Sequence, residues 1–205
     1  MNMRYYMFNK PRGCITACSD PRHKTVMDYI PEKEREGLFP IGRLDKDTEG
    51  FLILTDDGKF CFHVNEPEHH VEKTYFFYAR GTLDEEKIKA LEEGVNIRIV
   101  KDHLTAPAKI EKLGEATFRD IAHLLDEDEA KLRLTRRGDI PVTAGKITIT
   151  EGKKHQVKKM AKAVGMYIVY LERIAVAGIP LDKDLPRGEF RPLTEEELQI
   201  IGKYD

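Results

Sequence analysis

The sequence of 205 residues has few cysteines and no long hydrophobic run. No apolar segment approaches the roughly 20 residues of a membrane-spanning helix, and the N-terminus lacks the basic-then-apolar pattern of a secretory signal. The three cysteines, Cys14, Cys18 and Cys61, cannot all pair and do not show a zinc-binding spacing. We therefore expect a cytoplasmic protein that holds no metal and is not inserted in a membrane.

A strong excess of positive charge is also missing, because the formal net charge is −2. Affinity for polyanions depends on Lys and Arg contacts to phosphates, so the composition argues against a general nucleic-acid binder. The charges are uneven, however. Acidic residues crowd into 82–93, 126–129 and 195–197, whereas basic residues dominate 4–24 and 153–162. Any nucleic-acid surface is therefore expected to be local and to involve the two basic segments.

Strand and helix patterns of unequal length predict an α+β fold. Residues 51–55 are a continuous apolar run, 73–80 are rich in Tyr and Phe, and 146–150 alternate with period two. Helices are predicted from the capping pattern at Thr82 and after Gly152. The face of the second helix consists of Val157, Met160, Ala161 and Val164. We expect a mixed, mostly antiparallel central sheet flanked by helices, in a single domain of residues 1–205 whose two lobes share the sheet.

The segment 42–50 concentrates three carboxylates and two cations between two apolar stretches. A nucleophilic carboxylate must stay ionised in a partly dry pocket, and a neighbouring guanidinium such as that of Arg43 favours the ionised form. The same residues are also compatible with a solvated loop in which Asp45 or Asp47 caps a turn. Residue types alone leave both interpretations open.

The polar face of the predicted helix after Gly152 is strongly cationic. Lys154, Lys158 and Lys162 recur every four residues, with Lys159 beside them. Like charges at this spacing repel by about 0.2–0.5 kcal/mol per pair, and an anionic partner would remove that cost. An ordinary solvated face is the alternative, and His155 alone fits a helix N-cap or a core contact.

An aromatic ring that could stack on a base follows Lys73 and Thr74 on the predicted aromatic strand. Stacking on Tyr75 would be worth about 1–3 kcal/mol, although the strand pattern alone favours a core position. The sequence contains no P-loop, GxGxxG, HExxH or nucleophile-elbow pattern. Nucleotide cofactors, zinc proteolysis and the common serine hydrolase arrangement therefore lack support.

The order of these segments closely resembles the RsuA family of ribosomal RNA pseudouridine synthases from about residue 5 to residue 198. The GRLD and HQVK blocks are the most specific. The matching blocks, in family order, are NKPRG, GRLDKDTEGFLILTDDG, EKTY, EEGV, TAPAKIE, EGKKHQVKKM, LERI and GEFRPLTEEEL. The resemblance implies the pseudouridine synthase fold.

The resemblance also implies a role for particular residues. Asp45 matches the aspartate that all pseudouridine synthases use, and Arg43 matches the neighbour that steadies its loop. Tyr75 matches the ring that contacts the target base. Lys158 matches the basic residue paired with the aspartate, and Leu171 matches an apolar residue beneath the uracil.

The implied reaction detaches uracil from its ribose, rotates it and rejoins it through carbon, without a metal or organic cofactor. The implied substrate is ribosomal RNA or an assembling ribosomal subunit, and the target nucleotide must be flipped out of the RNA. We expect the protein to act as a monomer. The candidate RNA-binding residues are Arg12, Lys154, His155, Gln156, Lys159 and Lys162, and loops around Arg4, Lys10 and Arg22 are further candidates for docking.

Two features depart from the family pattern. Many relatives carry an S4-type RNA-binding domain before the catalytic part, whereas here the catalytic part begins almost at Met1, so we expect no S4 domain. The segment 114–145, with its acidic cluster and the Arg136-Arg137 pair, does not match the family pattern. One interpretation is an RNA-specific insertion.

Three functions are compatible with the sequence. The first is isomerisation of one uridine in ribosomal RNA. The LTEEEL and HHVEKTY blocks are closer to small-subunit enzymes, which we slightly favour, whereas the missing S4-type domain resembles a large-subunit enzyme. The second is a catalytically silent RNA-binding or ribosome-assembly module on the same fold, which the intact Asp45, Tyr75 and Lys158 oppose. The third is a hydrolase of glycosidic bonds that uses Asp45 and a second acid such as Asp47, but the sequence offers no second acid with a distinct environment.

Overall fold

The structure is a computed structural model that describes residues 3–99, 101–131 and 138–202. The chain divides into two compact units. The Arg136-Arg137 pair lies outside the described residues. The first unit comprises Met1–Thr74, Thr150–Gly152 and Glu172–Asp205, and the second comprises Tyr75–Ile149 and Lys153–Leu171.

Strands and helices of unequal length follow one another along the chain. The strands are β1 (Tyr5–Lys10), β2 (Phe39–Ile41), β3 (Glu49–Thr55), β4 (Lys73–Arg80), β5 (Asn96–Arg98), β6 (Asp102–Leu104), β7 (Lys109–Thr117), β8 (Pro141–Ile149), β9 (Tyr167–Val176), β10 (Ile179–Pro180) and β11 (Phe190–Pro192). The helices include α1 (Glu32–Arg35), α2 (Gly58–Asn65), α3 (Glu85–Glu93), α4 (Phe118–Ile121), α5 (Gln156–Ala163) and α6 (Glu195–Ile201). Both β4 and β9 contribute residues to each unit.

In the first unit, β1 lies between β11 and β3 and pairs antiparallel with both. β2 also pairs antiparallel with β3. The contact of β3 with β9 is parallel and joins Glu49 to Glu172 and Gly50 to Arg173. The sheet is thus mixed and mostly antiparallel, which confirms the predicted α+β class.

The core of the first unit forms around the apolar run predicted at residues 51–55. Every residue of β3 after Glu49 is buried. Two helices of this unit begin at predicted or recognisable caps: the Asp57 carboxylate accepts hydrogen bonds at the start of α2, and Thr194 and Glu197 form a capping box at the start of α6. Side chains packed together in this core are Met7, Ile41, Phe51, Ile53, Val64, Val71, Val176, Ile179 and Ile201.

In the second unit, the strand order is β9-β4-β8-β7. β7 pairs antiparallel with β8, and a bulge between Lys112 and Gly114 shifts the register of this pair. α3 begins two residues later than the Thr82 capping pattern predicts. Its N-cap is Asp84, whose carboxylate accepts the Lys87 N–H at 3.0 Å. Gly94, with φ +98°, ends this helix as predicted.

The helix predicted after Gly152 is present as α5 and buries its apolar side. Val157, Met160 and Ala161 are buried. Gly165 follows the helix with φ +76°, and the Met166 N–H donates to the Ala161 carbonyl at 2.9 Å. The cationic stripe is shorter than predicted, because α5 begins at Gln156 and leaves Lys154 in the preceding turn. Among the described residues, no helix has the length and apolar character needed to cross a membrane.

The parallel contact between β3 and β9 depends on a glycine. A Cβ at Gly50 would lie 2.3 Å from the Arg173 carbonyl oxygen, and its φ of +100° already disfavours other residues. We predict that Gly50→Ala lowers the free energy of unfolding by about 3 kcal/mol or more, because backbone strain and a backbone clash add.

A matched control is Gly178→Ala, at a position with φ +77° and no atom within 4 Å of the added Cβ. It should cost only the strain, about 1–2 kcal/mol. Urea denaturation of both variants measures the difference. Equal losses would contradict the proposed close approach of the two strands.

Candidate active site

Asp45 lies in an irregular segment between β2 and β3, within the first unit. Gly42 enters the segment with φ +68°, and the Asp45 carbonyl accepts the Thr48 N–H at 3.0 Å. The backbone carbonyl of Asp45 therefore takes part in a turn within this segment. The Asp45 side chain is half-buried, which suits a group that must remain ionised and reach a substrate.

A fully buried lysine is hydrogen-bonded to this segment. The side chain of Lys10 has 0% exposure. Its ammonium donates to the Pro11 carbonyl at 3.0 Å and to the Thr48 carbonyl at 2.8 Å, with the Lys46 carbonyl at 3.5 Å. The Gly13 N–H adds a 2.8 Å bond to the same Lys46 carbonyl. These hydrogen bonds join the loop after β1 to the Asp45 segment.

The charge of Lys10 also acts on the site. Burial lowers the pKa of Lys10, whereas Cys14 and the carboxylates of Glu49, Asp47 and Asp45 act to raise it. The ammonium therefore interacts electrostatically with these three carboxylates. The docking role suggested for Lys10 is wrong, because a side chain with no exposed surface cannot contact RNA. Lys10 is the last residue of an apolar strand, within NKPRG. This position is the sequence feature that could have indicated a buried side chain.

An ion-pair network sits where β3 meets β9. The Arg187 guanidinium lies 3.0 Å from the Glu49 carboxylate and 2.8 Å from the Glu172 carboxylate. It also donates to the Asn9 side-chain oxygen. Glu49 and Glu172 are register partners on parallel strands, so their like charges would repel without the arginine. Sequence reasoning did not identify this network, because its members are far apart in the chain.

A second cationic pair lies beside the same strands. The Arg173 Nε donates to the Phe51 carbonyl at 2.6 Å, and the Lys73 ammonium donates to the Val71 carbonyl at 2.9 Å. Burial lowers the pKa of Lys73 to about 8, and the charge of Arg173 adds to this effect. The first bond joins β9 to β3, and the second folds the Lys73 side chain back onto the residues before β4.

The arginines proposed for support and docking differ in their surroundings. Arg43 and Arg22 are exposed, and Arg12 is half-buried. Arg4 pairs with Asp56 at 2.7 Å and donates to backbone carbonyls of Glu34 and Glu36. The guanidinium of Arg4 is therefore used by the fold, and we remove Arg4 from the proposed docking residues.

Tyr75, Lys158 and Leu171 belong to the second unit. Tyr75 lies on β4 and is 8% exposed, and Leu171 lies on β9 and is 5% exposed. The two strands are neighbours in the sheet. Lys158 is half-buried on α5.

The start of α5 separates the predicted RNA contacts into two groups. His155 is exposed and is the N-cap of α5, with a left-handed φ of 56°. Gln156 is only 4% exposed, and its side-chain oxygen accepts the Lys153 N–H at 2.8 Å. It closes the turn before the helix, so we remove Gln156 from the proposed RNA contacts. Lys154 and Lys162 are exposed, and Lys159 is half-buried.

No group of three or more His, Cys, Asp or Glu side chains placed to hold a metal ion occurs within the described parts of the chain.

Comparisons with known proteins identify the family. The family model described as RNA pseudouridylate synthase matches residues 4–163. A Bacillus subtilis (strain 168) protein named "Uncharacterized RNA pseudouridine synthase YtzG" is 42% identical over 97% of this chain and 73% of its own length. The "Ribosomal small subunit pseudouridine synthase A" of Escherichia coli (strain K12) is 37% identical over 97% of this chain and 74% of its own. A crystal structure of a pseudouridylate synthase matches with a TM-score of 0.77 and 34% identity, over 98% of this chain and 74% of that one.

These matches define an enzyme of the isomerase class that acts on RNA. The chain belongs to the RNA pseudouridylate synthase family. The predicted pseudouridine synthase fold and the resemblance to the RsuA family are both confirmed.

The low pKa of Lys73 generates a prediction about stability. In the folded protein this pKa is about 8, against an ordinary value of 10.5, because burial disfavours the charged form. At pH 7, Lys73→Met should raise the free energy of unfolding by about 1–2 kcal/mol, less than the full shift implies because the side chain is partly exposed.

The pH dependence supplies the check. Between about pH 8 and pH 10.5 the unfolded wild-type chain binds more protons than the folded one, so wild-type stability should rise relative to the variant. Denaturation of both proteins at pH 7, 8, 9 and 10 measures the difference. A difference that stays constant over this range would show that Lys73 titrates normally.

Proposed function

We propose that this enzyme isomerises a specific uridine of ribosomal RNA, in the small subunit, and that Asp45 is its nucleophile. The carrying observation is the Asp45 segment, in which Asp45 is half-buried and the buried Lys10 ammonium donates to the carbonyls of Lys46 and Thr48. The substrate follows from the relatives named as small-subunit synthases, which align with 97% of this chain. We further propose that the enzyme acts as a monomer in the cytoplasm, where ribosomal RNA is modified in bacteria.

The proposed chemistry needs an ionised carboxylate at a defined position. Asp45 would act at the ribose C1′ or assist proton removal at C2′. The bond between uracil N1 and C1′ breaks, uracil rotates, and a bond from C5 to C1′ forms while the C5 proton is released and N1 is protonated. The hydrogen bonds of Lys10 to the Lys46 and Thr48 carbonyls limit the motion of the backbone that follows Asp45.

The remaining site roles follow the family resemblance. Arg43 would steady the Asp45 segment, and Lys158 would supply a counter-charge to the carboxylate. Tyr75 would contact the target base, and Leu171 would lie beneath the uracil. The burial of Tyr75 and Leu171 on neighbouring strands is compatible with an apolar platform for a flat base.

RNA binding would use exposed cations, because a flipped nucleotide costs a few kcal/mol of stacking that phosphate contacts must offset. The proposed contacts are now restricted to residues whose side chains reach the surface. They are Arg12, Arg22, Lys154, His155, Lys159 and Lys162.

The nucleophile assignment is tested by mapping pseudouridine chemically in ribosomal RNA after incubation with the wild-type protein, Asp45→Ala and Asp139→Ala. Asp139 is an exposed carboxylate paired with Arg119 on the surface, so its variant controls for the loss of one negative charge. One new site in small-subunit RNA, absent with Asp45→Ala and retained with Asp139→Ala, is expected.

Other outcomes separate the alternatives. A new site with Asp45→Ala would contradict the nucleophile assignment. A site in large-subunit RNA would overturn the subunit preference alone. Tight RNA binding by the wild-type protein without any new site would favour the silent assembly module, and release of free uracil would favour a hydrolase.

The basic surface is tested by reversing two exposed charges. Lys154→Glu with Lys162→Glu should weaken binding to ribosomal RNA and reduce the slope of log affinity against log salt by about 1.4–1.8, if each lysine contacts one phosphate. The control reverses Lys33 and Lys89, two exposed lysines on α1 and α3, with the same change in net charge. Filter binding at several salt concentrations measures both, and equal slopes for the two double variants would exclude a local contact.

A further inference from the structure

A buried threonine holds the peptide group that leads into Asp45. The Thr16 hydroxyl donates to the Leu44 carbonyl at 2.8 Å, and the Leu44 N–H donates to the Thr16 hydroxyl oxygen at 3.1 Å. Thr16 is 3% exposed and Leu44 is 5% exposed, so water does not replace these bonds easily. One side chain thus satisfies both polar backbone groups of the residue before Asp45.

These bonds complement those made by Lys10. The ammonium of Lys10 and the Gly13 N–H bind carbonyls of Lys46 and Thr48, which follow Asp45 in the chain. Thr16 acts on the preceding side, because the Leu44 carbonyl belongs to the peptide bond that contains the Asp45 nitrogen. Without this bond, that peptide plane is free to rotate and to carry the carboxylate with it.

We infer that Thr16 is a positioning residue, which sets the direction of the Asp45 carboxylate without touching the substrate. The inference rests on the proposed role of Asp45. The Thr16 hydroxyl is buried and bonded to Leu44, so it makes no contact with RNA in this arrangement. Its loss should therefore lower the rate of the chemical step and leave RNA affinity unchanged.

The chain contains a matched control for the hydroxyl. Thr55, at the far end of β3, is 0% exposed and also bridges two backbone groups. Its hydroxyl donates to the Arg4 carbonyl at 2.7 Å and accepts the Asp57 N–H at 3.0 Å. Thr55→Val removes the same chemistry from the same unit, but does not affect the backbone of Leu44.

The experiment follows tritium release from total RNA labelled with [5-³H]uridine and taken from cells that lack this protein. Formation of the C5–C1′ bond expels the C5 hydrogen, so release reports the reaction whichever RNA is the substrate. Single-turnover rates at saturating enzyme and RNA dissociation constants are measured for the wild type, Thr16→Val, Thr16→Ser, Thr55→Val and Asp45→Ala. Melting temperatures are measured for the same proteins.

Thr16→Val should slow the single-turnover rate by about 10–100-fold with less than a threefold change in RNA affinity. Thr16→Ser keeps the hydroxyl and should recover most of the rate. Thr55→Val should lower the melting temperature but retain the wild-type rate. Equal rates for Thr16→Val and Thr55→Val, with Asp45→Ala inactive, would overturn the role of Thr16 and leave the nucleophile assignment intact.

An active Asp45→Ala variant would instead refute the nucleophile assignment and, with it, the positioning role. If Thr16→Val does not fold at the assay temperature, Thr16→Ser is compared with Thr16→Ala, which retains the small size but lacks the hydroxyl. A serine variant clearly faster than the alanine variant supports the inference, and equal rates reject it.

Discussion

The buried ammonium of Lys10 is the interaction on which the candidate site depends most. A charged group without exposed surface is costly unless its hydrogen bonds are satisfied, and here backbone carbonyls satisfy them. Those carbonyls belong to Pro11 and to the segment around Asp45. The hydrogen bonds that one buried ammonium needs therefore hold two loops in place. The same cation interacts electrostatically with the carboxylates of Glu49, Asp47 and Asp45. The position of the Asp45 segment and the positive charge near its carboxylates therefore both depend on Lys10.

The parallel contact between β3 and β9 imposes a second constraint. Two strands can approach at Gly50 because no Cβ is present, and this approach brings Glu49 beside Glu172. Arg187 then neutralises the pair and links it to Asn9, close to Lys10 in the chain. The end of the Asp45 segment is thus connected to the C-terminal part of the chain by charge as well as by hydrogen bonds. Loss of the arginine would leave two half-buried carboxylates side by side, which would lower the free energy of unfolding.

Local patterns in the sequence predicted the features that local physics decides. The apolar run that became β3, the apolar face of α5 and the helix ends at Gly94 and Gly165 all follow from side-chain periodicity and from the freedom of glycine at positive φ. Burial of charged residues was not predictable in this way. Lys10 and Lys154 both occur in basic segments, yet the first is fully buried and the second is exposed, because the difference depends on tertiary contacts.

The hydrogen bonds around Asp45 also bear on how the enzyme is made. Lys10 and Thr48 are 38 positions apart, and Thr16 and Leu44 are 28 apart, so these hydrogen-bond partners of residues 44–48 all lie before the end of β3. The N-terminal part of a chain leaves the ribosome first. Contacts within that part can therefore form before later parts are synthesised. The hydrogen bonds around Asp45 are therefore expected to form early, ahead of α5 and its lysines. The segment proposed to react would in this way take shape before the lysines proposed to bind RNA.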